Sequence, residues 1–186
     1  MRLFLALDLP GPLKRELAVL IEEYRKLNIS GAKWVNGEQL HITLQFIGEV
    51  MEQNIDAIEE YLTNEIKNVR AFCIDRTQLE LIPPNRNPKL LWVNCSANYA
   101  NLEEFVVKFR EFLTNQNIMI DTKPFRMHIT LSRFKEAFPY ELKEQILNKT
   151  LSDNKWRIEE ASLYESRLFK EGPQYRKIKT FQLQEE

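Results

Sequence analysis

Histidine, cysteine and glycine are all scarce in this 186-residue chain, which holds two, two and five of them. Two cysteines, Cys73 and Cys95, cannot build a disulfide framework and are expected as buried thiols in a reducing compartment. The few glycines form neither a G-x-G-x-x-G nor a G-x-x-x-x-G-K-[ST] run, so nothing supports a dinucleotide or nucleoside-triphosphate cofactor. A G-x-S-x-G nucleophile elbow is missing too. No sign of charge prevails: 26 Lys and Arg oppose 27 Asp and Glu. That balance excludes a global basic field for gripping long nucleic acid, but not an end held by a few groups. No apolar run approaches the ~18 residues of a membrane helix, and the opening MRLFLALDLP is too short and too soon charged for a signal peptide. The expectation is a cytoplasmic protein with no membrane partner. Hydrophobic residues at 44% suffice for a core and exclude a disordered chain.

What histidine there is occurs in one context. His41-Ile42-Thr43-Leu44 and His128-Ile129-Thr130-Leu131 repeat the same tetrapeptide, and each sits in a short apolar, β-branched run. Both runs read as strands. Side chains alternate between the faces of a strand, so His41 shares a face with Thr43, and His128 with Thr130, each pair backed by an apolar face. Strict alternation places Phe46 on the core side of the first strand and Arg133 on the side opposite His128.

The surrounding pattern repeats loosely. A strand at 2–9, a helix at 13–27, a short extended piece at 33–35, the first histidine strand, a helix at 53–68 and a strand at 71–82 make the first half. A strand at 89–96, a helix at 99–117, the second histidine strand, a short helix at 140–147 and strands at 156–169 and 175–183 make the second. Pro83 to Pro88 is the most loop-like stretch. With the histidines about half a chain apart and no clear linker, residues 1–186 are expected to form a single bilobal α+β domain. Each lobe supplies one histidine strand to a central cleft.

Two imidazoles flanking one atom can act as acid and base in a single displacement near neutral pH. Threonine hydroxyls beside them can donate to oxygens that gain charge. Two acid–base groups with several oxyanion donors and no evident nucleophile suit phosphodiester hydrolysis by activated water. Metal hydrolysis usually needs three protein ligands, and two histidines without an acidic cluster do not supply them, so neither a metal nor a cofactor is expected.

The paired H-x-T-hydrophobic motifs, together with RLFLALDLP, LHITLQFIGEV, LLWV, PFRMHITLSR and LYESRLFKEGPQY in that order, resemble the two-histidine phosphoesterase superfamily. Within it the likeness is to the RNA 2′,3′-cyclic phosphodiesterases, also called 2′-5′ RNA ligases, and it runs nearly end to end. The resemblance implies two pseudo-symmetric lobes, with antiparallel sheets lining a cleft and helices outside. It implies metal-independent hydrolysis of RNA 2′,3′-cyclic phosphate ends to 2′-phosphates, with reverse 2′-5′ ligation open by microscopic reversibility. His41 then corresponds to the proton donor and His128 to the proton acceptor, while Thr43, Thr130 and Arg133 correspond to phosphate-binding groups. The family commonly has proline before the second histidine; here it is Met127.

Arg126 is a further basic group beside His128. Phe46, Phe125 and Tyr175 are candidates to stack on a terminal base, and Arg86 and Lys89 are more simply solvated. A monomer is expected. Alternatives are a phosphodiesterase of small cyclic phosphates or 2′-5′ oligonucleotides, or a non-catalytic RNA-end binding module.

Overall fold

A computed structural model describes residues 1–84, 87–99, 101–170 and 172–185. Arg86 lies outside them. Among the described residues nine strands form two antiparallel sheets, with four α-helices packed on their outer faces.

The first sheet contains β1 (Arg2–Asp8), β3 (His41–Glu49), β8 (Glu160–Phe169) and β9 (Gly172–Gln182) in the order β3-β1-β8-β9. The second contains β2 (Ala32–Trp34), β4 (Phe72–Ile82), β5 (Leu90–Ala97), β6 (His128–Phe134) and β7 (Trp156–Ile158) in the order β2-β6-β5-β4-β7. Without β2, the second order starts from its histidine strand as the first does, so the sheets are pseudo-equivalent. The expected continuous strand over 156–169 is in fact two. The chain breaks at Glu159, so that β7 completes the second sheet and β8 enters the first.

The lobes do not coincide with the halves of the sequence, because the connections β1 to β2, β2 to β3, β3 to β4 and β7 to β8 cross between the sheets. α1 (Gly11–Arg25) leaves β1 of the first sheet and packs with the second: Tyr24 lies against Trp34 of β2, and its hydroxyl donates to the Ile146 carbonyl in α4 (Lys143–Leu147). α2 (Ile55–Glu65) and α3 (Leu102–Asn115) pack behind the first sheet, with Tyr61 stacked on Phe112 at 4.1 Å. α1 is amphipathic as its spacing predicts, burying Leu13, Leu17, Leu20, Ile21 and Tyr24.

Each sheet turns an apolar face outward to its helices and a polar face inward. On β1 the leucines face the core, and Leu3, Leu5 and Leu7 are at most 1% exposed. Phe4, Ala6 and Asp8 take the opposite face, as alternation demands.

The segments that lead into the histidine strands are exchanged. β2 precedes β3 yet borders β6, where the Ser132 hydroxyl donates to the Lys33 carbonyl. Residues 121–123 precede β6 yet lie against β3. There the buried Gln45 side chain donates to the Asp121 carbonyl and accepts from Arg110, which also donates to Lys123.

Candidate active site

The two histidine strands pack against each other while belonging to different sheets. Both carry a β-bulge at the same place in the motif. In β3, Thr43 pairs with Ala6 and Gln45 with Leu5, so Leu44 is the extra residue. In β6, Thr130 pairs with Trp92 and Ser132 with Leu91, so Leu131 is the extra residue. A bulge adds one residue and reverses the parity beyond it. Gln45 and Ser132 are therefore buried, while Phe46 and Arg133 swing onto the inner face with the histidines and threonines. The parity expected for Phe46 and Arg133 is thus corrected. Arg133 needs no detour round the strand end, and Phe46 is half-exposed on the inner face rather than in the core.

The imidazoles are held alike. Nδ1 of His41 lies 2.6 Å from the Gln39 carbonyl, and Nδ1 of His128 lies 2.8 Å from that of Arg126. A carbonyl only accepts, so Nδ1 carries a proton in each ring and Nε2 is left to exchange one. Nε2 of His41 lies 3.1 Å from the Thr43 hydroxyl, which donates to it when the ring is neutral.

Their surroundings differ. His41 is flanked by Phe4 at 5.0 Å, by Tyr164 at 6.3 Å and, edge-on, by Tyr175 at 5.4 Å. His128 rests against the Trp92 indole at 4.2 Å. Trp92 and Asn94 both donate to the Glu80 carboxylate, which anchors that platform.

Burial pushes His41 below the ordinary imidazole value of 6.5. The Gln39 carbonyl and the Asp8 carboxylate favour its charged form, while Lys14 and His128 oppose it. Burial also lowers His128; the Arg126 carbonyl counters this, and the Arg133 and Arg126 guanidiniums reinforce it. Charges of both signs thus attend His41, with Lys14 acting more strongly than Asp8, whereas only positive groups attend His128. Packing of β3 against β6 brings the two imidazoles within reach of one another's charge.

The remaining candidates divide. Tyr175 reaches the site, on the His41 side. Arg126 stays exposed just before β6 and contributes its carbonyl. Phe125 does not join the site: it packs partly buried against the core, edge-on to Tyr99. Met127, in place of the family's proline, buries its side chain in the core, and its carbonyl accepts the Cys95 amide. Lys89 is exposed and pairs through its backbone with Phe134. Cys73 and Cys95 are free, and burial pushes the Cys95 thiol up to about 12.

Sequence reasoning passed over Asp8, Phe4, Trp92 and Tyr164. A signal existed for Asp8, the only acid in a strand otherwise rich in leucine. Trp92 and Tyr164 needed the sheet register to place them. Among the described residues no three His, Cys, Asp or Glu side chains converge as a metal site, and no helix is long and apolar enough to cross a membrane.

Two pseudo-equivalent strands, each presenting an imidazole and a hydroxyl to one cleft, define a phosphoesterase of the two-histidine class. The chain matches the LigT-like phosphoesterases over residues 7–92 and 94–175, and it belongs to that family. It is 28% identical to the RNA 2′,3′-cyclic phosphodiesterase of Thermotoga maritima, over 95% of this chain and 92% of that one. It is 30% identical to the Methanocaldococcus jannaschii protein of the same name, over 96% and 99%. The crystal structure of TT0787 of Thermus thermophilus superposes with a TM-score of 0.80 at 26% identity, covering both chains fully.

Proposed function

We propose that this chain hydrolyses the 2′,3′-cyclic phosphate at an RNA end to a 2′-phosphate, by paired-imidazole acid–base catalysis without a metal. The observation that carries this is the matched pair of imidazoles in one cleft, each with Nδ1 bonded to a carbonyl and Nε2 left for proton transfer. Relatives that bear the name RNA 2′,3′-cyclic phosphodiesterase over nearly the whole chain support it.

In this mechanism His128 takes a proton from water as the water oxygen bonds to phosphorus. The bond from phosphorus to the 3′ oxygen breaks, and His41 gives its Nε2 proton to that oxygen. The Thr43 and Thr130 hydroxyls and Arg133 hold the phosphate oxygens as their charge grows. The division of roles is the one the family resemblance implies, and Asp8 as the cross-strand partner of His41, with Arg133 and Arg126 acting on His128, is in keeping with it. Phe46, Tyr175 and Arg126 border the space for the terminal nucleotide. The same steps run backwards form a 2′-5′ linkage. Residues 1–186 work as one domain, as a cytoplasmic monomer.

The test is a product assay on an oligonucleotide with a 2′,3′-cyclic end, with EDTA present. A 2′-phosphate should appear at the rate seen without chelator, since no three ligating side chains converge among the described residues. Loss of turnover in EDTA, restored by a divalent ion, would show the mechanism to be wrong. A mononucleoside cyclic phosphate run in parallel separates RNA ends from small cyclic phosphates as substrate, and binding without turnover would indicate an RNA-end binding module.

The pH dependence should carry the mark of burial. One ring must be protonated and the other neutral, so kcat/KM should be bell-shaped in pH. Both free-enzyme values lie below 6.5, which puts the optimum on the acid side of neutrality and makes the rate fall above it as His41 loses its proton. A profile still rising through pH 8 would contradict that.

A further inference from the structure

Asp8 lies behind the His41 imidazole and takes no part in the proton transfers above. It is the cross-strand partner of His41, at the end of β1. Its side chain is only 10% exposed. Both oxygens are occupied: the Tyr164 hydroxyl donates to Oδ1, and the Ser162 hydroxyl and the Lys177 ammonium donate to Oδ2, the latter at 3.0 Å. Thr180 and Ser162 share a further hydrogen bond of 2.9 Å.

All these donors come from β8 and β9, on the side of β1 away from β3. The carboxylate is therefore anchored from behind and stands one strand from the histidine. A buried, fully bonded carboxylate cannot relax away when the neighbouring ring changes charge. Its effect on the ring is preorganised rather than induced.

We propose that Asp8 is a positioning residue for the acid, an anchored negative charge that favours the protonated form of His41 and so biases which of the two histidines donates the proton. This rests on the acid–base reading under Proposed function. The pseudo-symmetry of the two sheets sharpens it. In the second sheet, the cross-strand partner of His128 is Asn94, an uncharged residue, where the first sheet has Asp8. The asymmetry of charge thus falls at the same place in each half-site.

Several other groups also face His41. Lys14 of α1 lies by the preceding turn, where its ammonium donates to the Glu38 carbonyl. Tyr164 of β8, Tyr175 and Lys177 of β9 and His128 of β6 complete the set. Asp8 is the one acid among them. Without it Lys14, Lys177 and the second imidazole would remain, and of the fixed groups only the Gln39 carbonyl would still favour the protonated acid. Lys177 draws on the same carboxylate from the far side and weakens its hold on His41.

The chain has only two histidines, so each imidazole can be followed separately by NMR, with no need for turnover. In Asp8→Asn, the same size and still able to accept from Tyr164 through its one oxygen, the His41 titration should move to lower pH while that of His128 stays. Cyclic-phosphate hydrolysis should fall roughly 3- to 10-fold on the alkaline limb of the pH profile and least at its acid end, where the acid is protonated in both proteins. In Lys177→Met the His41 titration should move to higher pH. That variant alters an exposed side chain and decides the matter if Asp8→Asn does not fold.

A His41 titration unmoved or raised in folded Asp8→Asn, or unmoved in Lys177→Met, would overturn the proposal. An activity loss equal at all pH values would reduce Asp8 to a structural residue. Absence of cyclic-phosphate turnover in the unaltered protein would instead sink the functional reading, and the titrations would still report on Asp8.

Discussion

Replacing His41 or His128 by alanine should each lower cyclic-phosphate hydrolysis by ~10²–10⁴-fold, the usual worth of a positioned acid or base. His41→Ala leaves the 3′ oxygen to depart as an alkoxide, and His128→Ala leaves water unactivated. The strain of the five-membered cyclic phosphate eases departure of the leaving group, so His41→Ala should retain the larger residue of activity. The two losses should not multiply in the double variant, because both groups act in one displacement. Neither substitution should unfold the protein. Both side chains line the cleft rather than the core, and the apolar backing residues Ile42, Leu44, Ile129 and Leu131 are untouched. The measurements are kcat on a cyclic-phosphate oligonucleotide and the thermal midpoint of each variant. Folded variants turning over near the rate of the unaltered chain would make the paired motif structural.

Thr130→Val and Thr43→Val should cost less, up to ~10²-fold each, since each removes one of several donors to the phosphate oxygens while preserving side-chain shape. The hydroxyls should differ in a telling way. Thr43 donates to Nε2 of His41 in the free protein, so its loss also removes a partner of the neutral acid. Thr43→Val should therefore shift the His41 titration upward as well as slow the reaction, whereas Thr130→Val should slow the reaction alone. Steady-state kinetics with the two-histidine NMR titration distinguish these outcomes. Equal titrations in both variants would show that the Thr43 contact has no hold on the acid.

Much of this site can be read from residues alone, and the limits are physical. The paired tetrapeptides need only strand alternation to put His41 with Thr43 and His128 with Thr130, and both pairs share the inner face as alternation requires. Alternation fails one step later. The bulges at Leu44 and Leu131 invert the parity of Phe46 and Arg133, and nothing in L-Q-F or L-S-R announces an extra residue. What holds the bulges in place is non-local, since Gln45 and Ser132 are buried by hydrogen bonds to segments from the other half of the chain. Phe125 shows the converse: an aromatic near a catalytic motif is drawn into the core by its neighbours. The halves of the sequence suggest two lobes, but pairing of β1 with β8, and the break at Glu159 that sends β7 and β8 to different sheets, could not be inferred from local pattern.

The position of β1, flanked by β3 and by β8, bears on how the site matures during synthesis. Ala6 is made long before its partner Ser162. All strands of the sheet that carries His128 have emerged once Ile158 is made. The sheet that carries His41 must wait for β8 and β9, and until then β1 keeps an open edge. At ~5–20 residues per second that interval lasts seconds, long enough for an unpaired strand rich in leucine to find wrong partners. The base half of the cleft can therefore be built first, and the acid half, with Asp8 awaiting Tyr164 and Lys177, is completed only after β8 and β9 have followed.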